Sequence, residues 1–254
     1  MAVGHQVGHG GRQVVRGSII CPRALRAAAQ SGSLSPTDMH ASFWHQKWAQ
    51  KEIGFHQSAV HPLLAAHWPL LAQQWGLAQG SRVLVPLCGK TLDIHWLLAQ
   101  GHRVVGAELS EQAVVELFEE LGQSPTISPQ GALQCYSAPG LEVFVGDFFA
   151  LTREQLGPVD AVYDRAALVA LPEAMRRDYA AQLLALSASA PQLLICFEYE
   201  QSLLPGPPFA VDEAELRQHY GTELALELLQ RVDVPGGLKG RVPAADVAWR
   251  LSRR

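Results

Sequence analysis

Short apolar runs alternate with helical stretches along most of the chain, and this alternation constrains the fold more than any other feature. The run Arg82-Val-Leu-Val-Pro-Leu-Cys88 precedes a helical stretch over 91–100. The next apolar run, 103–109, precedes Ser110, a favourable N-cap, and a helical stretch over 111–121. Nearly uniformly apolar strands separated by helices predict an α/β fold, in which a mostly parallel sheet carries helices on both faces.

The same pattern continues towards the C-terminus. It predicts strands at 141–147, 160–164 and 193–199, with a helix over 172–187 between the last two. The tail predicts one more helix at 211–220 and two strands within 224–250. One domain from about residue 40 to residue 254 accounts for all of these elements.

The first 38 residues have a different composition from the rest. They carry four arginines and a single acid, Asp38, with abundant Gly and Ser and no sustained apolar period. An Arg-rich, acid-poor stretch is typical of a transit peptide, whereas a start codon assigned upstream of Met39 gives the same composition. We expect residues 1–38 to be a disordered extension and residues 39–254 to form the functional domain.

Composition excludes several classes of partner. The formal net charge of −4 disfavours a nucleic-acid binder, which needs a cationic face. The four cysteines are far apart and form no C-x-x-C pair, so we expect no disulfide framework, no metal site and a reducing cytoplasmic location. Polar residues interrupt the uncharged stretch 179–197, so we expect a soluble protein without a membrane span.

Ligands of open α/β sheets bind at the carboxyl ends of the strands, so the residues at these ends are the candidates for chemistry. Gly89 and Lys90 follow the first strand, where a single Gly lets the backbone approach a ligand closely. Glu108 closes the second strand 19 residues after Gly89, where an acid accepts hydrogen bonds from ribose hydroxyls. A G-x-G-x-x-G fingerprint is missing, which disfavours a nicotinamide-dependent oxidoreductase.

Two further strand ends carry polar residues. Asp147 and Phe148 could hold and stack a flat heterocycle, or could be a loop acid beside a core aromatic residue. Arg165 could bind a carboxylate, or could pair with the neighbouring Asp164. Because all four strand ends converge on one cleft in this type of fold, we interpret them together as a site.

Several strings of the sequence, taken in order, resemble the bacterial form of the thiopurine S-methyltransferase family. They are Phe43-Trp44-x-x-x-Trp48, Ile53-Gly-Phe-His-Gln57, Val85-Pro-Leu-Cys-Gly-Lys90, Val105-Gly-Ala-Glu-Leu-Ser110, Gly146-Asp-Phe-Phe149, Tyr163-Asp-Arg-Ala-Ala167, Glu198-Tyr199 and Gly206-Pro-Pro-Phe209. The match covers nearly all of 39–210. The tail after Phe209 matches loosely, and the 38-residue extension has no counterpart in the family.

The resemblance implies a class I S-adenosylmethionine-dependent methyltransferase with a Rossmann-like, mostly parallel seven-stranded sheet whose last strand is antiparallel. It implies that S-adenosyl-L-methionine is the cofactor and that Trp48, Leu87, Glu108 and Arg165 contact it. Further cofactor-binding candidates are Phe55, Gly89, Lys90, Asp147 and Phe148. Asp164 and Arg165 are the candidates on the substrate side.

The implied reaction transfers a methyl group to the sulfur of a thiopurine or another heteroaromatic thiol, for which detoxification is a plausible purpose. Such thiols are acidic, so a dedicated base is dispensable. We expect Trp48 and Phe55 to belong to a lid that orders when the cofactor binds. The resemblance also implies a monomer acting on a small-molecule thiol.

Three alternatives stay open at this point. The acceptor could be another soft nucleophile, such as a small thiol, a selenium or tellurium species, or a halide. The chain could be a nicotinamide-dependent oxidoreductase, against which the missing fingerprint counts. It could also be a cofactor-binding module without turnover.

Overall fold

A nine-stranded sheet lies at the centre of the part of the chain that the structure describes. The structure is a computed structural model that describes Met1 and residues 41–254. The sequence prediction for residues 1–38 therefore lies outside the described residues, apart from Met1. Contacts within the chain group the described residues 41–254 as one unit.

The strands of the sheet are β1 (Arg82–Pro86), β2 (Arg103–Glu108), β3 (Thr126–Gln130), β4 (Leu133–Ala138), β5 (Leu141–Val145), β6 (Ala161–Arg165), β7 (Gln192–Tyr199), β8 (Leu224–Asp233) and β9 (Ala244–Arg253). Their order is β3-β4-β5-β2-β1-β6-β7-β9-β8. Strands β5, β2, β1, β6 and β7 pair in parallel, while β9 is antiparallel to both of its neighbours.

Helices cover both faces of this sheet. They are α1 (Ala41–Ala49), α2 (Pro62–Gln74), α3 (Leu92–Ala99), α4 (Glu111–Glu120), α5 (Arg153–Leu156), α6 (Glu173–Ser187) and α7 (Glu213–Tyr220). Helices α2, α3 and α4 contribute to the hydrophobic core on one face, and α5, α6 and α7 contribute to the core on the other. The predicted parallel sheet with helices on both faces is confirmed.

Side-chain caps fix where the helices next to the site begin. The Thr91 hydroxyl accepts a hydrogen bond from the Asp93 amide, and the Ser110 hydroxyl accepts one from the Ala113 amide. Each cap satisfies an amide that has no partner inside its helix. The helices α3 and α4 therefore start directly after the turns that follow β1 and β2.

The sheet has nine strands, whereas the resemblance implied seven. The seven expected strands are present, with antiparallel β9 as the last in the chain, and the hairpin β3–β4 adds two more at one edge. Sequence reasoning missed this hairpin because β3 is short, largely exposed and contains Pro129, so it lacks an apolar strand pattern. Proline is tolerated there because an edge strand leaves backbone donors unused.

Among the described residues, no helix is both long and apolar enough to cross a bilayer.

Candidate active site

A cavity of about 1130 Å³ lies at the carboxyl ends of the parallel strands. Nine of the residues singled out in the sequence lie on its wall: Trp48, Phe55, Leu87, Gly89, Lys90, Glu108, Asp147, Phe148 and Arg165. The N-terminal segment around α1, the turns after β1, β2, β5 and β6, and the loop between β8 and β9 all contribute to it. The volume exceeds that of a typical single-ligand pocket, so it has room for two small molecules side by side.

Glu108 is held in place by backbone amides. Its Oε2 accepts a hydrogen bond from Gly89 N at 2.7 Å, and its Oε1 accepts one from Ser110 N at 2.8 Å. Burial raises the pKa of this carboxyl group, and the hydrogen bonds from the backbone oppose that rise. A carboxylate accepts up to four hydrogen bonds, so Glu108 can still accept one from a ligand in the cavity.

The turn after β1 lies against the aromatic N-terminal segment. Gly89 has a φ of +51°, and a Cβ added to it would lie 3.1 Å from Cζ2 of Trp48. The Trp48 ring is nearly fully buried and packs edge-to-face on Phe55, with centroids 5.6 Å apart. A second tryptophan, Trp44, packs on the same Phe55 ring. These aromatic rings form the side of the cavity that faces α1.

Two turn residues that follow strands have left-handed backbone conformations. Leu87, after β1, has a φ of +44°, and Ala166, after β6, has a φ of +63°. Positive φ values are unfavourable for residues with a Cβ and cluster at functional sites. Both residues lie on the cavity wall, where the backbone turns sharply away from the sheet.

The turn after β5 contributes an aromatic ring to the wall. Asp147 is exposed at the edge of the cavity, and its Oδ1 accepts a hydrogen bond from Phe149 N at 2.9 Å. Phe148 is buried, and its ring lies 5.2 Å from that of Tyr179 in α6. Phe148 therefore belongs to the core and also lines the cavity, and stacking of its ring on a flat heterocycle stays a prediction.

The charge of Lys90 is directed away from the cavity. Its Nζ contacts Glu116 at 2.9 Å and Glu120 at 2.7 Å, both on α4. These carboxylates raise the pKa of the lysine. Lys90 therefore contributes its stem to the wall, while its ammonium group ties the turn after β1 to α4.

Neighbouring residues Asp164 and Arg165 point to opposite sides of the sheet. Arg165 lies on the cavity wall, and its Nη1 donates a hydrogen bond to the Phe55 carbonyl at 3.3 Å. Asp164 is fully buried and is absent from the wall; its Oδ2 accepts a hydrogen bond from the Tyr179 hydroxyl at 2.7 Å. Side chains alternate along a strand, so two adjacent residues cannot both face the substrate. The structure therefore places Asp164 among residues that support the site.

The cysteine in the turn after β1 is a neutral thiol. Cys88 lines the cavity and is buried, and its Sγ contacts the Gly89 carbonyl at 3.6 Å. Burial and the charge of Glu108 raise the pKa of this thiol well above its usual value. A protonated thiol is a poor nucleophile, so Cys88 acts as a packing residue.

Sequence reasoning missed the polar residues that the C-terminal part brings to the site. Lys239, between β8 and β9, and Asp246, in β9, both line the cavity. The Nζ of Lys239 donates a hydrogen bond to the Pro207 carbonyl at 2.8 Å. The signal for Asp246 is present in the sequence, since it is a lone acid in the otherwise apolar run Ala244-Ala-Asp-Val-Ala248.

Comparison with known proteins identifies the family. The profile of the thiopurine S-methyltransferase family matches residues 39–245. The chain belongs to this family. It is 54% identical over 216 residues to a thiopurine S-methyltransferase of Xanthobacter autotrophicus, a match that covers 85% of this chain and all of that protein. It is 53% identical to one of Teredinibacter turnerae, over 85% of this chain and 98% of that protein. The resemblance stated from the sequence motifs is thus confirmed.

Solved structures support the fold. A 1,6-didemethyltoxoflavin-N1-methyltransferase of Burkholderia thailandensis, with bound S-adenosylhomocysteine, superposes with a TM-score of 0.55 at 17% identity, covering 84% of this chain and 87% of that one. An S-adenosylmethionine-dependent methyltransferase of Anabaena variabilis gives a TM-score of 0.52 at 16% identity, over 84% and 95% of the two chains. The methyltransferase fold class expected for this family member is confirmed.

Proposed function

We propose that this family member transfers a methyl group from S-adenosylmethionine to the sulfur of thiopurines or related heteroaromatic thiols. The observation that carries the proposal is the buried Glu108 carboxylate, which two backbone amides hold at the end of β2 with a lone pair free for a ligand. Family membership supports the choice of sulfur as acceptor.

The residues of the cavity fit the cofactor. Glu108 offers two acceptor oxygens to the two hydroxyls of a ribose. The Gly89 turn lets the backbone approach the ligand, and the Phe148 ring offers an apolar surface to a flat base. When bound, S-adenosylmethionine supplies an electrophilic methyl group on a sulfonium sulfur. Leu87, Trp48 and Arg165 complete the set of residues that would hold it.

The chain contributes chiefly binding and orientation to the reaction. Holding the acceptor sulfur in line with the methyl group converts a bimolecular encounter into a reaction within one complex. The aromatic rings of Trp44, Trp48 and Phe55 cover one side of the cavity and keep water out. Heteroaromatic thiols ionise easily, so much of the acceptor arrives as the nucleophilic thiolate.

A titration of the full chain by calorimetry tests the cofactor. S-adenosylmethionine should bind with micromolar affinity, whereas a nicotinamide dinucleotide should not bind, and Glu108→Ala should weaken the first interaction. The opposite preference would support an oxidoreductase. Absence of S-adenosylmethionine binding to the full chain and to a chain starting at Met39 would contradict the proposal.

An acceptor panel then tests the reaction. Thiopurines and aryl thiols should be methylated faster than selenite, tellurite, halides or small aliphatic thiols, as followed by formation of S-adenosylhomocysteine. Faster turnover of one of the latter would reassign the acceptor within the same enzyme class. Cofactor binding without transfer to any of these acceptors would indicate a binding module.

We also infer that the enzyme works as a cytoplasmic monomer on small molecules, with detoxification as its purpose. The acidic net charge disfavours nucleic acid as a substrate. The cysteines in the described part, Cys88, Cys135 and Cys196, are free and buried, which suits a reducing compartment. Light scattering after size exclusion would test the monomer, since a mass of twice 27.6 kDa would contradict it.

A further inference from the structure

The wall of the cavity carries a carboxylate that the proposed mechanism does not use. Asp246 lies in β9, lines the cavity and has a side chain that is 23% exposed. Within the described part of the chain, the one basic side chain at ion-pair distance from it is His61, whose Nε2 lies 3.8 Å from Oδ2. That distance is too long for a good hydrogen bond. The carboxylate oxygens of Asp246 are therefore open to a ligand.

His61 does not neutralise this carboxylate. Its Nδ1 accepts a hydrogen bond from Leu63 N at 3.3 Å, which requires a free lone pair on Nδ1 and favours the neutral ring. Its backbone amide donates to Asp93 Oδ1 at 2.8 Å, and Tyr163 donates to the other oxygen of Asp93. Burial lowers the pKa of His61 to about 4, with a further contribution from Arg165. At neutral pH, the His61 ring is therefore uncharged and lies beside Asp246 without neutralising it.

Asp246 and Arg165 lie on the same face of the sheet with one strand between them. Arg165 pairs with Ile195 of β7, Ile195 pairs with Ala248 of β9, and Asp246 lies two residues before Ala248. Strands β6 and β9 are therefore about 10 Å apart across the sheet. The guanidinium of Arg165 forms no ion pair with Asp246 in the described part of the chain and bonds instead to the Phe55 carbonyl. The Arg165 guanidinium, a hydrogen-bond donor, and the Asp246 carboxylate, an acceptor, thus face the same cavity. A planar ring system bound between them can reach both.

Resting on the function proposed above, we propose that Asp246 binds the ring N–H of a heterocyclic thione and accepts its proton during methyl transfer. The preferred acceptors are then cyclic thioamides, in which C=S and N–H are adjacent, and they react in the thione form as well as the thiolate form. Such rings carry an N–H donor that matches an open carboxylate, whereas an aryl thiol carries none.

A neutral thione reacts by methyl transfer to its sulfur and proton transfer from its ring nitrogen. The thione sulfur uses an electron pair to form a bond to the methyl carbon, while the bond between that carbon and the sulfonium sulfur breaks and leaves its pair on the donor. The ring N–H proton passes to the Asp246 carboxylate, and the nitrogen keeps the electron pair. The products are a neutral methylthio heterocycle, neutral thioether donor and protonated Asp246, which then releases the proton to solvent.

The local charges are compatible with a proton acceptor. Burial raises the pKa of Asp246, and the charge of Arg165 opposes that rise. His61 faces it from the segment before α2, Arg165 from β6 and Lys239 from the loop between β8 and β9. Glu198 of β7 and Arg231 of β8 pair with each other on the opposite face, where they do not approach Asp246.

The test compares two acceptors on one variant. 6-Mercaptopurine carries a ring N–H beside its sulfur, whereas thionitrobenzoate is an aryl thiolate without ring nitrogen. Asp246→Asn should lower kcat/KM for mercaptopurine by about 100-fold and change that for thionitrobenzoate by less than about threefold. Asp233→Asn, an exposed carboxylate of β8 outside the cavity, should leave both values unchanged.

A binding measurement gives a readout without turnover. In the presence of S-adenosylhomocysteine, Asp246→Asn should weaken mercaptopurine binding by about 10-fold and leave thionitrobenzoate binding unchanged. The pH dependence of kcat/KM gives a further readout. For Asp246→Asn, kcat/KM on mercaptopurine should change with pH in proportion to the fraction of the acceptor that is thiolate. For the wild-type enzyme, kcat/KM should fall less steeply than the thiolate fraction as pH is lowered, until Asp246 itself is protonated.

Equal losses on the two acceptors, or no loss on either, would overturn the role of Asp246 while leaving the methyltransferase proposal intact. The readout is the ratio of kcat/KM for mercaptopurine to kcat/KM for thionitrobenzoate, so a general loss of activity does not change it. Asp246→Ala should lower this ratio as Asp246→Asn does. If the wild-type enzyme methylates neither acceptor, the proposed function itself fails.

Discussion

The amide of Gly89 donates a hydrogen bond to the Glu108 carboxylate over 2.7 Å, which joins the turn after β1 to the end of β2. Glu108→Gln replaces one acceptor oxygen by an NH₂ group, which must face either the Gly89 or the Ser110 amide. The cost of a mismatched buried donor and the loss of charge at the cofactor site should weaken S-adenosylmethionine binding about 10- to 100-fold. Calorimetry measures this change. Glu119→Gln, on the exposed side of α4, is the matched control, and equal affinities of the two variants would refute the role.

Alanine substitutions at Gly89 and Gly122 distinguish the cost of backbone strain from the cost of a side-chain clash. Gly89 and Gly122 both have positive φ, +51° and +64°, but only the Cβ of an alanine at 89 would approach Trp48, at 3.1 Å, while nothing lies within 4 Å at 122. Gly122→Ala should lower the free energy of unfolding by about 1 kcal/mol through strain alone. Gly89→Ala should cost more and should also weaken cofactor binding, because Trp48 must shift. Urea denaturation and calorimetry would show the difference, and identical results for the two variants would count against a tight contact.

Stability should depend on pH through Asp164. Burial raises the pKa of this carboxyl group to about 6, from an ordinary value of 3.8, against the effect of its hydrogen bonds. Between these values the folded state holds a proton that the unfolded state has lost, so the free energy of unfolding falls as pH rises from about 4 through 6. A shift of this size corresponds to about 3 kcal/mol.

Asp164→Asn should remove that dependence. Relative to the variant, wild-type protein should lose about 3 kcal/mol of unfolding free energy between pH 4 and pH 7, as measured by urea denaturation. Asp178→Asn, an exposed acid of α6, should give a curve parallel to that of the wild type. Parallel curves for Asp164→Asn would show that Asp164 does not titrate in this range.

Strands with strongly apolar sequences could be predicted from the sequence, whereas the largely exposed edge strand could not. Strands β1, β2, β6 and β7 were found within one or two residues, because each reads as an apolar run between helices. The hairpin β3–β4 was missed since its first strand is an exposed edge, and edge strands need no apolar pattern. Local composition cannot reveal pairing that depends on a neighbouring strand.

The site could be predicted as far as it follows the strand ends. Glu108 and Arg165 were found because parallel strands direct their carboxyl ends to one side. Asp246 was missed because β9 runs antiparallel, so its residues near the site stand at the strand's beginning, where this rule does not look. Asp164 was predicted on the substrate side together with Arg165, but it is fully buried and absent from the cavity wall, because side chains alternate along β6.

The aromatic segment around α1 should become ordered further when the cofactor binds. Trp48 lies against Gly89 and Phe55, and Lys51 is exposed just after α1. Local opening, which proteolysis requires, becomes rarer when a ligand binds only the closed state. We expect saturating S-adenosylmethionine to slow tryptic cleavage at Lys51 at least about 10-fold, while cleavage at Arg153 in α5, outside the cavity, keeps its rate. Trp48→Ala should abolish the protection. If cleavage at Lys51 were equally fast with and without the cofactor, this segment would not act as a lid, and its aromatic rings would form a fixed wall.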